Sequence, residues 1–232
     1  MSQINNNQSE ELRHERKFLI SDYAAAEVEQ IIKYNPACFT EIYHQRIVNN
    51  IYFDTLGFES YYGNIEGDIE RTKVRIRWYG NLFGEINNAI LELKIKKGLL
   101  GRKDYYSLLP FKMDEKFSKE QIVQALDSDE IPKHIRNMVI SMHPALLNSY
   151  SRKYFISKDK QFRITIDNNL TYYRISYNRN TFLNKVVDNK SVVLELKYDS
   201  QLESEAKKIG NKFTFAMTKN SKYLQGIERV LF

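Results

Sequence analysis

The sequence predicts an α+β fold: a closed antiparallel β-barrel with helices packed on its outside. Three observations lead there. Several segments alternate between apolar and charged residues, the period of a strand with two unlike faces. The charged face of each carries a close pair: Glu15/Lys17, Arg75/Arg77, Glu92/Lys94, Arg163/Asp167 and Glu195/Lys197. Between these strands lie stretches of helical period with an apolar stripe. A sandwich would leave the charged faces in water. A barrel whose apolar residues face outward, under covering helices, turns the same faces into a lumen.

Residues 1–12, MSQINNNQSEEL, are polar and lack the basic start and apolar run of a signal peptide, so a disordered N-terminal segment is expected. Residues 13–232 read as one domain, long enough for a sizeable core. The first strand is RHERKFLI, with Arg13, Glu15 and Lys17 on one face and His14, Arg16, Phe18 and Ile20 on the other. Ser21 is expected to cap a helix reaching about Tyr34, with Val28, Ile31 and Ile32 as its stripe and Asn35-Pro36 as its stop. Residues 42–54 read as two short strands, followed by a turn at Asp54-Thr55-Leu56-Gly57.

Lys73–Tyr79 is the clearest strand: Val74, Ile76 and Trp78 share one face, Lys73, Arg75, Arg77 and Tyr79 the other. Residues 89–97 repeat the pattern, Gly98–Gly101 is read as a hairpin turn, and 102–108 as the return strand. Helical period follows from Ser118, which with Gln121 resembles a capping box, and a second helix starts after Ile131-Pro132 and runs to about Met142. Strands are expected at 149–156, 162–167, 172–177 and 191–198, and a short helix at 203–208 stopped by Gly210. In the tail Lys219 and Lys222 are three apart, on one face if helical.

A net charge of +6 and a pI near 9.1 suit an anionic partner. Nucleic acid is disfavoured, because the basic residues are interleaved with carboxylates instead of forming a stripe with stacking aromatics. The single cysteine, Cys38, excludes an internal disulfide and fits a reducing, cytoplasmic setting; four histidines without ligand spacing argue against zinc. No apolar run approaches the roughly 18 residues of a bilayer span, so the chain itself is not expected to insert in a membrane. Guanidinium groups two residues apart on a strand repel by about 2 kcal/mol at an effective dielectric near 20. In an enclosed lumen that repulsion calls for an anion, and Arg is shaped to bind phosphate in two-pronged fashion. Glu15, Glu92, Asp167 and Glu195 are the oxygen ligands a hard cation such as Mg²⁺ or Mn²⁺ prefers. Periodicity thus reaches a metal-dependent site for a phosphate chain and leaves the reaction open.

Glu15-x-Lys17, Arg75-x-Arg77, Glu92-x-Lys94, Arg152 within Tyr150-Ser-Arg-Lys-Tyr, Arg163 to Asp167 and Glu195-x-Lys197 resemble the triphosphate tunnel (CYTH-like) fold. Tyr52-Phe-Asp-Thr55, the Ser-Arg-Lys-Tyr-Phe segment and the Lys219/Lys222 pair resemble, more narrowly, the VTC-type polyphosphate polymerase domain. The resemblance implies transfer of the terminal phosphoryl group of ATP to a growing polyphosphate chain. It implies phosphate binding by Lys17, Arg75, Arg77, Lys94, Arg102, Arg152, Arg163, Lys197, Lys219 and Lys222. Catalysis would fall to Lys17, Arg75, Arg77, Lys94, Arg163 and Glu195. Glu195 would hold Mn²⁺ or Mg²⁺ with Glu15 and Glu92 as helpers. A membrane partner is compatible with it. The alternatives are an inorganic or nucleoside triphosphatase using the same tunnel, and a polyphosphate-binding module without catalysis.

Overall fold

Alternating strands build one curled antiparallel sheet, seen in a computed structural model that describes residues 13–97, 100–176, 180–218 and 221–231. Its strands are β1 (Arg13–Ile20), β2 (Thr40–Asp54), β3 (Glu70–Tyr79), β5 (Ile90–Lys97), β6 (Leu100–Ser107), β8 (His143–Ile156), β9 (Arg163–Arg174), β10 (Lys185–Asp188) and β11 (Val192–Asp199). The spatial order is β1-β11-β9-β8-β2-β3-β5-β6, with β10 added beside β9. A small second sheet pairs β4 (Gly84–Ile86) with β7 (Phe111–Met113). Helices α1 (Ala25–Lys33), α2 (Glu59–Glu66), α3 (Lys119–Ala125), α4 (Lys133–Ser141), α5 (Glu203–Gly210) and α6 (Lys222–Leu231) complete the chain.

The apolar faces are buried on the convex side in two clusters. Ile51, Val74, Ile76, Trp78, Leu91 and Leu93 pack with Ile122, Ile135 and Val139 of α3 and α4. Phe18, Ile20, Ile164, Ile166, Leu194 and Leu196 pack with Val28 and Ile32 of α1 and Ala206 of α5. These helices are the expected outer layer. Helix α6 departs from it: Tyr223 and Ile227 join Leu146, Tyr172 and Val193 in a third cluster, on the face the charged residues share. Asp54 anchors it, accepting from the backbone N–H of Ser60 and Tyr61 at the start of α2 and from the Tyr223 hydroxyl of α6.

The expected closure of the barrel is not found. β1 and β6 are the two ends of the strand order, and no ladder joins them among the described residues. The edge of β1 is otherwise engaged. Thr218 N–H donates to the Lys17 carbonyl at 2.8 Å, and Leu19 N–H donates to the Thr218 hydroxyl at 2.9 Å.

Other expectations shift in detail. Residues 40–54 form one strand with irregularities between Glu41, Tyr43 and Arg46, where two strands were expected. The segment expected at 172–177 continues β9 through Arg174, and β8 begins at His143, because register shifts bend long strands without ending them. Helix α1 starts at Ala25, since Glu27 reaches back to the Ala24 N–H at 2.6 Å and sets the start there, not at Ser21. The expected disordered segment 1–12 lies outside the described residues.

Gly226 lets α6 approach the sheet. A Cβ there would meet Leu146 and come within 2.7 Å of the Tyr172 ring, a contact neither neighbour can relieve inside a packed cluster. Gly226→Ala is expected to destabilise the protein by about 1–3 kcal/mol despite the better helix propensity of Ala. Thermal melting checks it: a midpoint at or above wild type would show that α6 does not pack this closely.

Candidate functional site

The strand registers bring most of the charged pairs to one cavity of about 250 Å³ on the concave face. β1 and β11 set Lys17 opposite Glu195 and Glu15 opposite Lys197. β3 and β5 set Arg75 opposite Glu92, and β8 and β9 set Arg152 opposite Asp167. Among the described residues nine basic side chains line the cavity against three carboxylates, Glu15, Glu92 and Glu195.

One wall is a compact ion network. Lys17 Nζ lies 2.7 Å from Glu15 Oε1 and 3.2 Å from Glu195 Oε1; Lys197 Nζ lies 3.0 Å from Glu195 Oε2. Asp167 is fully buried, held by Arg152 through two bonds of 2.6 and 2.7 Å and by Lys222 Nζ at 2.6 Å. Burial alone would raise the Glu195 carboxyl, but Lys197, Lys17 and Lys222 overcome it and hold the group well below the usual carboxylate range. Burial likewise works against charge on Lys17 and Lys222, and the carboxylates reverse it: Glu195 and Glu15 for Lys17, Asp167 and Glu195 for Lys222. On the facing wall Glu92 accepts from Arg75 Nε at 2.6 Å and lies 3.3 Å from Arg77 Nη1, whose Nε in turn donates to Asn50 at 2.8 Å.

Further along the same strands this wall is unbalanced. The β3–β5–β6 registers place Lys73, Lys94 and Lys103 directly opposite one another, a like-charge row that strand pairing disfavours. Burial, reinforced by Arg71, Lys17 and Lys94, lowers Lys73 to about 7. Loss of solvent lowers Lys94 and Lys103 as well; on Lys94 it outweighs the pull of Glu15 and Glu195 with help from Lys17 and Lys103, and on Lys103 it is reinforced by Lys197 and Arg75 against Glu15 and Glu92.

Of the expected site residues, Lys17, Arg75, Arg77, Lys94, Arg152, Lys197, Lys222, Glu15, Glu92 and Glu195 line this cavity. Arg163 does not; it is exposed at the outer end of β9, beyond Thr165 and Asp167. Arg102 does not either. β6 starts at Leu100, with Lys97 opposite Leu100, which turns Lys103 inward and leaves Arg102 outside on Asp104 at 2.7 Å. Lys219 lies outside the described residues. Of the carboxylates expected beside the metal, Glu92 is engaged by Arg75 and Arg77, Glu195 by Lys17, Lys197 and Lys222, and Glu15 by Lys17. Lys73, Lys103, Tyr105, Tyr52, Tyr150, Ser221 and Tyr223 also line the cavity without having been assigned to it. The alternation that marks Arg75 and Arg77 already contains Lys73, and strand parity opposite Glu92 and Lys94 is the signal for Tyr105 and Lys103.

A second cavity, of about 220 Å³, lies where Leu231 meets Thr55 and Pro144, and gathers no comparable charge. No described helix is long and apolar enough to cross a membrane.

Comparison with known proteins agrees with this geometry. Residues 12–231 match the VTC domain. The chain is 26% identical over 150 residues to vacuolar transporter chaperone complex subunit 4 of Schizosaccharomyces pombe, a match covering 55% of this chain and 20% of that protein, so the chain spans about a fifth of its length. Among solved structures, the PH1819 protein of Pyrococcus horikoshii OT3 superposes with a TM-score of 0.50 at 13% identity, over 93% of this chain and 96% of the other. A protein from Hippeastrum, described as a putative adenylyl cyclase with a dominant triphosphatase activity, superposes with a TM-score of 0.51 at 11% identity, over 94% and 96%. A putative adenylate cyclase from Vibrio parahaemolyticus gives 0.50 at 11% identity, over 91% and 95%. At such identities these structures establish the fold. With a domain match that runs from the start of β1 to the end of α6, the chain belongs to the VTC domain family.

Proposed function

We propose that the protein is a polyphosphate polymerase that transfers the terminal phosphoryl group of ATP to a polyphosphate chain held in this basic cavity. The observation that carries the reading is the in-register row of Lys73, Lys94 and Lys103 facing a balanced network. Strand pairing puts no carboxylate in that row, and a chain of phosphates supplies negative charge to it at regular spacing.

The reaction forms a bond from an ionised terminal oxygen of the acceptor chain to the γ-phosphorus and breaks the bridging bond to the β-phosphate, releasing ADP. The acceptor oxygen is already ionised at pH 7, so no protein base is required. What remains is positioning and neutralisation of charge. Arg75 and Arg77, braced by Glu92, offer fixed forks to non-bridging oxygens. Arg152 and Lys222, braced by Asp167, present cations whose orientation is set before substrate arrives. Lys17 and Lys197 keep Glu195 ionised, hence competent as an oxygen ligand.

Glu195 and Glu15, on adjacent strands and sharing Lys17, fit a hard divalent cation such as Mn²⁺ or Mg²⁺. No group of three or more acidic, histidine or cysteine side chains gathers among the described residues, so the ion would complete its shell with phosphate oxygens and water. When bound it would offset the charge that develops on the transferred group. A cytoplasmic setting and a membrane partner that receives the polymer are compatible with this reading.

Incubation with ATP and Mn²⁺, with and without a short polyphosphate primer, tests the proposal. Long polymer is expected from wild type. In Glu195→Gln polymer synthesis is expected to fall at least a hundredfold, about 2.7 kcal/mol or more of transition-state stabilisation, with ATP binding reduced less. Free phosphate without polymer would identify a triphosphatase; neither product would identify a binding module.

Lys73 supplies a second test. With its pKa near 7, the amine is only partly charged at neutral pH, and an arriving phosphate raises its affinity for a proton. Tripolyphosphate binding at pH 7 should therefore take up protons, an effect that fades towards about pH 5, where the amine is already charged. Calorimetry in buffers of different ionisation enthalpy measures it, and uptake undiminished in Lys73→Met would assign the proton elsewhere.

A further inference from the structure

One end of the cavity leads to a cluster of tyrosines around an arginine that the phosphate chemistry does not use. Along β8, Tyr150 and Arg152 line the cavity and Tyr154 follows at the next position of the same alternation. Arg152 stands 5.2 Å from the Tyr150 ring centre and 6.0 Å from that of Tyr154. Beside Tyr154 stands Arg46 of β2, its guanidinium 5.7 Å from the Tyr154 ring, 4.9 Å from Tyr43 and 5.8 Å from Tyr79. Lys222, at the inner end, lies 4.9 Å from the Tyr150 ring. Cations and aromatic rings thus alternate without a break from the buried network to the surface.

Two features separate this cluster from an ordinary exposed strand end. Tyr43 and Arg46 are three residues apart, a spacing that in a regular strand puts side chains on opposite faces. The register shift between them places both beside these residues of β8, with Tyr43 opposite Tyr154 and Arg46 opposite Arg152. Bulges re-aim side chains in this way next to binding sites. The second feature is the charge. Among the described residues Arg46 makes no ion pair or hydrogen bond to a carboxylate, and it lies beside three π faces, two of them on rings about half exposed, Tyr43 at 51% and Tyr79 at 48%.

We propose that this rim is a platform for the base of a nucleoside triphosphate whose phosphates lie in the cavity. The assignment rests on the reading of the cavity as a phosphate site. A flat, weakly polar ring stacks on tyrosine faces and on a guanidinium plane, and a single tyrosine ring, that of Tyr154, separates the rim cation Arg46 from the cavity cation Arg152. Phosphate alone gains nothing from Tyr43 and Tyr79, so the platform distinguishes a nucleotide donor from an inorganic chain of the same charge density. Stacking ignores base identity, so purine and pyrimidine nucleotides differ here only by ring area.

The test compares ATP with tripolyphosphate by calorimetry, with EDTA present so that no turnover occurs. Replacing both half-exposed rings (Tyr43→Ala with Tyr79→Ala) should weaken ATP binding roughly tenfold and leave tripolyphosphate binding unchanged. The pair Tyr43→Phe with Tyr79→Phe keeps both π faces and should bind ATP as wild type does, which separates stacking from the hydroxyl contacts. ATP binding unaffected by the alanine pair, or weakened no more than tripolyphosphate binding, overturns the platform and leaves the phosphate cavity standing. Wild-type protein that takes tripolyphosphate but not ATP overturns the platform as well. Wild-type protein that binds neither overturns both readings.

Discussion

Two buried carboxylates, Asp167 and Glu195, hold the concave face together. A carboxylate removed from water must be paired or lose its charge. Asp167 on β9 is paired by β8 through Arg152 and by α6 through Lys222; Glu195 on β11 is paired by β1 through Lys17 and again by Lys222. The placement of α6 on the inside of the sheet follows. Its apolar stripe fills one end of the concavity, and its first residue brings a cation to both carboxylates, so packing and charge pairing select the same position. Asp54 secures it from the other side through the Tyr223 hydroxyl.

The two walls differ in how they treat solvent. Around Asp167 and Glu195 each cation has a carboxylate in reach, so the network is close to neutral and stiff. Across the cavity, Lys73, Lys94 and Lys103 have only each other in the ladder. Stability alone would not retain such a row, since replacing one lysine by a neutral residue would relieve repulsion on the strand. On the proposed reading such a row is kept for an arriving anion, and its cost in the empty protein becomes selectivity for ligands with charges repeated along a line.

Much of this was legible in the sequence because strand alternation is a strict rule. Once Val74, Ile76 and Trp78 are assigned to a core, Arg75 and Arg77 have no freedom to share it, and the same holds for Glu15/Lys17, Glu92/Lys94 and Glu195/Lys197. Errors arose where alternation passes through a turn or a bulge. In the return strand after Lys97, parity alone, with Lys94 opposite Lys103, already turns Lys103 inward and keeps Arg102 out. A strand that runs to its outer end carried Arg163 past the cavity, although its parity was right. Tyr43 and Arg46 carry no periodic signal, since only a register shift unites them. Closure of the barrel was illegible for another reason. It depends on whether two edges find each other or find a different partner, and Thr218, remote in sequence from both strands, took the edge of β1.

That engaged edge has a mechanical meaning. A closed barrel can change its bore only by breaking or sliding a ladder, because every strand is hydrogen-bonded on both sides. Here β1 and β6 face each other across a seam with no ladder among the described residues, although Glu15 and Lys94, on its two sides, still feel each other's charge. Across this seam the two sides are linked by charge and by the segment at Thr218, not by a ladder of their own. A link of charges weakens with salt where a ladder of backbone hydrogen bonds does not, so the two edges of the sheet are joined by its most salt-sensitive contacts.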